Sequence, residues 1–185
     1  MKPKVTVLTC VYNGLPYLKD SIDSILSQTY SDFDYLIIDD ASPDENVIKL
    51  IESYNDSRIN FVKNEKNLGV SNTFNKALRL IKTPYVVRAD QDDVNLPDRI
   101  EKQVSYLEKN TEIDVVCSWE YVIDSDSVIV GNWKRKLENY GAIIKEWKIN
   151  PENAELEIES LKSLLSNKTK IVAVTHCSNI VGSIN

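Results

Sequence analysis

Three carboxylates lie within four residues, at Asp90, Asp92 and Asp93, with Gln91 between the first two. Packing them into a dry core would carry a large desolvation cost, so a surface or a binding site is expected. Clustered carboxylates raise one another's pKa unless a cation compensates their charge. Oxygen ligands suit Mg²⁺ or Mn²⁺, which complete their coordination with water and substrate phosphates. The cluster therefore indicates a divalent metal that binds a nucleoside diphosphate, with a solvated acidic turn as the alternative.

The segments around this cluster alternate between two patterns. Short apolar or β-branched runs predict strands at residues 5–10, 35–38, 58–62, 84–87 and 114–116. Apolar residues at helical spacing predict helices at 15–28, 47–54, 70–81 and from Pro97, as a first-turn residue, to Leu107. The run 119–123 is expected to extend the last strand or to pair with it. Strands that alternate with helices imply an α/β fold with a mostly parallel sheet covered on both faces.

Polar residues follow three of these strands. Tyr12 and Asn13 come after the first strand, Asp39 and Asp40 after the second, and the acidic cluster 90–93 after the fourth. Ligands of such sheets bind beyond the carboxyl ends of the strands. We therefore expect the three groups to share one edge of the sheet, which favours a site over a solvated turn.

Four blocks of the sequence carry a family resemblance. They are VTVLTCVYNG (5–14), SILSQTYSDFDYLIIDDASPD (24–44), NLGVSNTFNKAL (67–78) and VRADQDDVNLPDRIEKQV (87–104). In order and spacing they resemble the family 2 glycosyltransferases. The resemblance covers about residues 1–130 and implies a Rossmann-like nucleotide-sugar-binding domain over that range.

The resemblance also implies roles for the residues that match the family's motifs. Asp40 would hydrogen-bond the nucleotide base, and Tyr12 with its turn would line the base pocket. Asp90 would contact the donor sugar or ribose, and Asp92 would coordinate the metal. Asp93 and Arg88 would support the site.

The implied reaction is the transfer of a sugar, with inversion, from a UDP- or dTDP-type donor to an unidentified hydroxyl acceptor, with Mg²⁺ or Mn²⁺ as cofactor. One departure lies at Phe74, where many relatives have an arginine. A donor contact from that arginine is therefore not expected, and Phe74 suits a core position of its helix.

The segment after residue 130 follows a different pattern. Inverting members of the family supply a carboxylate base from this half, and we find no match for it after Gly131. Residues 132–185 instead resemble part of a class V aminotransferase or cysteine-desulfurase-like protein, which uses pyridoxal phosphate; Asn179 would then lie near the hydroxyl of the cofactor ring. We therefore expect domains at 1–130 and at 131–185, the second an incomplete α/β tail. A nucleotide-sugar-binding module without catalysis and a fragment of a pyridoxal-phosphate enzyme stay as alternatives.

Composition excludes some classes of function. The formal net charge of -6 argues against a nucleic-acid-binding protein, which normally has a basic face. No apolar run approaches the roughly 20 residues that cross a bilayer, and no signal peptide is recognisable. The cytoplasm is the expected compartment, with peripheral membrane attachment left open. Cys10 and Cys117 are expected to be buried, and the spacing of the three cysteines suits neither a disulfide framework nor zinc.

Overall fold

The computed structural model describes residues 3–118, 120–133 and 170–172. In chain order the elements are β1 Val5–Val11, α1 Leu15–Leu26, β2 Phe33–Asp39, α2 Glu45–Glu52, β3 Ile59–Lys63, α3 Val70–Leu80, β4 Tyr85–Arg88, α4 Arg99–Lys109, β5 Val115–Val116, β6 Glu120–Ile123, β7 Ile129–Trp133 and β8 Lys170–Val172.

The main sheet has the strand order β3-β2-β1-β4-β8-β5. All of its pairings are parallel, which confirms the predicted α/β fold with a mostly parallel sheet. The chain runs from β1 outward to β2 and β3, and then returns to place β4 on the other side of β1. The strand order therefore reverses between β1 and β4, and such a reversal is where open parallel sheets bind their ligands.

Helices cover both faces of the sheet because its strands alternate their side chains between the two. Val5 and Val7 of β1 belong to a core cluster that includes the apolar faces of α1, α2 and α4. Leu8 belongs to a second cluster, which includes Ala77 of α3. The apolar stripe of each helix is therefore buried against one face, and the strand ends are left for polar residues.

Helix α4 begins at Arg99, two residues later than Pro97, so the prediction of Pro97 as a first-turn helix residue was wrong. The carbonyl of Pro97 instead accepts a hydrogen bond from Thr29 N at 2.8 Å. Gln28 also holds this segment, because its side chain donates to Leu96 O and accepts from Ile100 N. These contacts with the end of α1 keep the residues before Arg99 in a loop.

The run after β5 forms a separate antiparallel hairpin, in which β6 pairs with β7. The expectation that residues 119–123 would extend or pair with the β5 strand was therefore wrong for 120–123, and residue 119 lies outside the described residues. The expected domain division at residue 130 falls within β7 and stays a prediction.

The cysteines differ in part from their predicted burial. Cys10 and Cys117 are free thiols, and both are half-buried rather than fully buried. Cys10 packs against the second core cluster, so it still acts as a small apolar residue there. Cys177 lies outside the range that the structure describes.

Candidate active site

A cleft of about 440 Å³ opens at the carboxyl ends of β1, β2 and β4, which is within the usual size range of ligand sites. The residues that line it are Cys10, Val11, Tyr12, Asp40, Asn67, Gly69, Val70, Thr73, Arg88, Asp90, Gln91 and Asp92. The structure thus brings together Tyr12, Asp40, Arg88, Asp90 and Asp92 of the sequence-predicted site. Asp93 is not among the lining residues.

Asp40 is only 4% exposed, and its carboxylate holds the neighbouring loop in place. It accepts hydrogen bonds from Asn64 Nδ2 at 2.7 Å and from the backbone N–H groups of Leu68 and Gly69, both at 2.9 Å. Burial on its own would raise the pKa of Asp40, but the donors of Leu68, Asn64, Thr73 and Gly69 together lower it. Asp40 is therefore a charged anchor for the loop that ends at Gly69.

Asp39 has a different role from its neighbour. It is fully buried, and both of its carboxylate oxygens accept from Ser42 N. The hydroxyl of Ser42 accepts in turn from Asn13 N at 3.0 Å. Asp39 thus stabilises the loop after β2 and connects it with the loop after β1, but it does not line the cleft.

Arg88 lies between an acid and an aromatic ring. Its Nε donates to Asp90 Oδ1 at 3.0 Å, and its guanidinium lies over the ring of Phe74 at 5.0 Å from the centroid. The ring also packs against the second core cluster, as the sequence predicted for a core position of its helix. Phe74 therefore supports the cation on the cleft wall.

The acidic loop 90–93 suits a metal ion whose remaining ligands come from a bound substrate. No set of three or more His, Cys, Asp or Glu side chains is arranged to hold a metal in residues 3–118, 120–133 and 170–172. A nucleotide-bound Mg²⁺ or Mn²⁺ does not need such a set, since one or two carboxylates and the phosphate oxygens suffice. Asp92 and Asp90 both line the cleft and supply hard oxygen ligands. The residues present are therefore compatible with a shared metal–diphosphate site.

A buried cation lies beneath the same loop. Arg99 is 8% exposed; its Nη2 donates to Arg88 O at 2.8 Å, and its Nη1 contacts Asn95 Oδ1. Burial lowers the pKa of Arg99 to about 10, against the opposite effect of Asp90, Asp93 and Glu120. Arg99 stays protonated at neutral pH and offsets part of the charge of the acidic loop.

The residues of α1 that hold this loop were not among the site residues predicted from the sequence. Ser21 Oγ donates to Asp90 O at 2.7 Å, and Ser24 Oγ accepts from Asn95 N at 3.0 Å. Both serines and Gln28 are buried. The available signal was their i, i+3, i+7 spacing, which places three polar side chains on the buried stripe of an amphipathic helix.

Cys10 also lines the cleft, and its thiol is held in the protonated form. Burial and the nearby Asp90 charge raise the pKa of its thiol well above the usual range. The thiol therefore stays protonated at neutral pH, and the reactive form of cysteine is the thiolate.

A model of "Glycosyl transferase family 2" matches residues 6–174. The chain belongs to this family. An uncharacterized glycosyltransferase of Methanocaldococcus jannaschii is 42% identical over 132 residues, which are 70% of this chain and 46% of that protein. The chain spans only 41 to 46% of the length of three curated family relatives that it matches.

Solved glycosyltransferase structures share the fold. S. aureus TarS 1-349, in complex with UDP-GlcNAc, matches with a TM-score of 0.61 and 15% identity over 98% of this chain and 61% of that one. The mannosyltransferase PcManGT from Pyrobaculum calidifontis, in complex with GDP-Man and Mn²⁺, matches with a TM-score of 0.59 and 20% identity over 95% and 57%. These likenesses confirm the predicted Rossmann-like fold of the family.

The family match extends to residue 174, into the tail that resembles part of a class V aminotransferase or cysteine-desulfurase-like protein. That resemblance, with Asn179 beside the cofactor, stays a prediction. Of residues 134–185 the structure describes only 170–172, which form β8 within the main sheet. The residues after Gly131, where the sequence shows no match for the family's catalytic base, lie mostly outside the described ranges.

None of the helices in the described residues combines the length and the apolar character needed to cross a bilayer.

Proposed function

We propose that this chain binds a nucleoside-diphosphate sugar in the cleft and transfers the sugar to a hydroxyl acceptor. The observation that carries the proposal is the cleft itself. It lies where the strand order reverses, and its wall holds Asp92, Asp90 and Arg88 within a chain of glycosyl transferase family 2. Such a wall combines metal-binding oxygens with a cation that attracts phosphate.

The diphosphate would lie against the loop that follows β4. Asp92 would hold the Mg²⁺ or Mn²⁺ ion, with Asp90 directed towards the sugar or ribose. A cation bound there stabilises the negative charge that develops on the departing nucleoside diphosphate. The Arg88 guanidinium, ion-paired with Asp90 and supported by the Phe74 ring, would add positive charge on the same wall.

The base would occupy the opposite part of the cleft, beside Tyr12 and the loop anchored by Asp40. The Tyr12 side chain is 45% exposed and is therefore accessible to a planar base. Asp40 fixes the loop through Leu68 and Gly69, and that loop contributes Asn67 and Gly69 to the wall. We propose that Asp40 acts on base binding chiefly by holding this wall in place, and a direct Asp40–base hydrogen bond stays a prediction.

A uridine or thymidine diphosphate is the donor type that we propose, with inversion at the transferred carbon. Support comes from TarS, whose solved structure holds UDP-GlcNAc, while PcManGT holds GDP-Man. The sugar, the acceptor and the residue that acts as the base are not assigned.

Titration calorimetry with UDP, dTDP and GDP, each in Mn²⁺, Mg²⁺ or EDTA, tests the binding part of the proposal. UDP or dTDP should bind more tightly than GDP. Either nucleotide should reach its full affinity only when Mn²⁺ or Mg²⁺ is present. Release of nucleoside diphosphate from the matching sugar donors then tests transfer. Binding without turnover would identify the chain as a donor-binding module, and the absence of any nucleotide binding would overturn the proposal.

A further inference from the structure

We propose that Gln91 is a positioning residue that couples the base end of the cleft to its metal end. This inference rests on the proposed function, because it concerns how the same cleft binds a nucleoside diphosphate. Gln91 lies between Asp90 and Asp92. Its side-chain amide is occupied by hydrogen bonds to the loop after β1.

The contact is a pair of hydrogen bonds of opposite direction. Gln91 Oε1 accepts from Tyr12 N at 2.8 Å, and Gln91 Nε2 donates to Tyr12 O at 3.2 Å. Among side chains in their neutral-pH forms, the primary amides of Gln and Asn offer an acceptor and a donor side by side in this way. The pair therefore fixes both the plane of the Gln91 amide and the backbone of Tyr12. We refer to it as the Gln91–Tyr12 clamp.

The clamp crosses the point where the strand order of the sheet reverses. Tyr12 follows β1 and Gln91 follows β4, and these two strands are paired neighbours with Leu8 opposite Arg88. Tyr12 lies at the proposed base position, and Asp92 is the residue directly after Gln91. A cation that fixes Asp92 thereby also restrains Gln91 and, through the clamp, the backbone of Tyr12.

Gly14 leaves the space that the clamp requires. A Cβ built on Gly14 would lie 2.6 Å from Gln91 Oε1 and 2.8 Å from Gln91 Cδ. The backbone of Gly14, with φ of -79°, suits any residue, so the lack of a side chain is what matters there. Because the obstructing atoms are the end of a flexible side chain, Gly14→Ala should displace Gln91 at little cost in stability.

This geometry provides a way to break the clamp without touching Gln91. Calorimetry measures UDP affinity in Mn²⁺ and in EDTA. The ratio of the two affinities is the metal enhancement. Two hydrogen bonds are lost in Gly14→Ala and in Gln91→Ala, so each should weaken UDP binding in Mn²⁺ about ten-fold and reduce the enhancement. The two substitutions act on one contact, so the double variant should match Gln91→Ala rather than the product of both effects.

Gly131→Ala is the matched control. Gly131 lies in β7, where an added Cβ meets only ordinary contacts with Val122, the nearest at 3.8 Å. This variant should keep the wild-type affinity and metal enhancement, and thermal unfolding should show all four variants folded at the assay temperature.

The outcomes separate this inference from the proposed function. Wild-type protein that binds no UDP overturns both proposals. A second outcome overturns the clamp alone. In that outcome the wild type binds UDP with a metal enhancement, and Gly14→Ala and Gln91→Ala match its UDP affinity and its metal enhancement. Multiplicative effects in the double variant also contradict the clamp, because they would show two independent contacts.

Discussion

The side chain of Asn64 connects Asp40 with Lys76: its Nδ2 donates to Asp40 Oδ1 at 2.7 Å, and its Oδ1 accepts from Lys76 Nζ at 2.6 Å. Asn64 is 2% exposed, and its contact with Asp40 is buried, whereas its contact with Lys76 is partly buried. It therefore positions the carboxylate that anchors the cleft wall, although it lies outside the cleft lining.

Replacement of Asn64 by alanine should lower the free energy of unfolding by about 1–3 kcal/mol, because Asp40 and Thr73 each lose a buried hydrogen bond from its amide. UDP affinity should fall as well, since the loop held by Asp40 loses support. Urea unfolding and calorimetry measure the two effects. Asn60→Ala is the control, because Asn60 is exposed on β3 and should tolerate the change; equal effects of the two substitutions would contradict the assigned role.

The pH dependence of stability reports on Asp40. Hydrogen bonds lower its pKa in the folded state, despite burial, whereas the unfolded-state value is about 3.9. The stabilisation is therefore fully present above the unfolded-state pKa and is lost as the pH falls through the folded-state value. The difference in unfolding free energy between wild type and Asp40→Asn should be constant from about pH 8 to 5 and should shrink below about pH 4. A difference that grows towards acid pH would reverse the assigned sign.

Loss of the buried cation should cost more stability than loss of an exposed one. Arg99→Met removes a positive charge near Asp90 and Asp93 and leaves Arg88 O without its hydrogen bond, and we expect a loss of about 1–3 kcal/mol. Chemical denaturation of this variant and of Arg79→Met makes the comparison. Arg79 is exposed on α3, so its loss should cost less than about 0.5 kcal/mol. Similar stabilities of the two variants would show that Arg99 does not act as a buried cation.

Substitution at one strained backbone position, Ala41, should increase the stability of the protein. Ala41 has a φ of 60°, a left-handed conformation that costs a side-chain-bearing residue roughly 1–2 kcal/mol. Ala41→Gly removes this strain but adds freedom to the unfolded chain, which offsets part of the gain. The net result should be stabilisation by up to about 1 kcal/mol in urea unfolding, and a destabilised variant would contradict the strain.

The sequence predicted the features that depend on local pattern. Apolar periodicity predicted the parallel α/β fold, and the strand-end positions of Tyr12, Asp40 and Asp92 predicted that they meet at one edge. The start of α4 was missed because contacts from Thr29 and Gln28 set it, and these residues are some 70 positions away in the chain.

Contacts between loops that are distant in the sequence could not be predicted from local sequence patterns either. The Gln91 side chain meets the Tyr12 backbone across 79 residues, and no periodicity indicates that partnership. Likewise, two adjacent aspartates, Asp39 and Asp40, are indistinguishable by type. Their different surroundings come from the alternation of side chains along the chain and from the loop contacts. These place Asp39 in the interior and Asp40 on the cleft wall.

The metal dependence of UDP affinity in Asp92→Asn tests the central claim most directly. Asparagine keeps the shape of the side chain and removes its charge, and Asp126→Asn, on an exposed turn, controls for the change in net charge. Wild type and the control should bind UDP at least about ten-fold more tightly in Mn²⁺ than in EDTA. Asp92→Asn should bind UDP equally weakly in both, and a full Mn²⁺ enhancement in this variant would contradict the metal site.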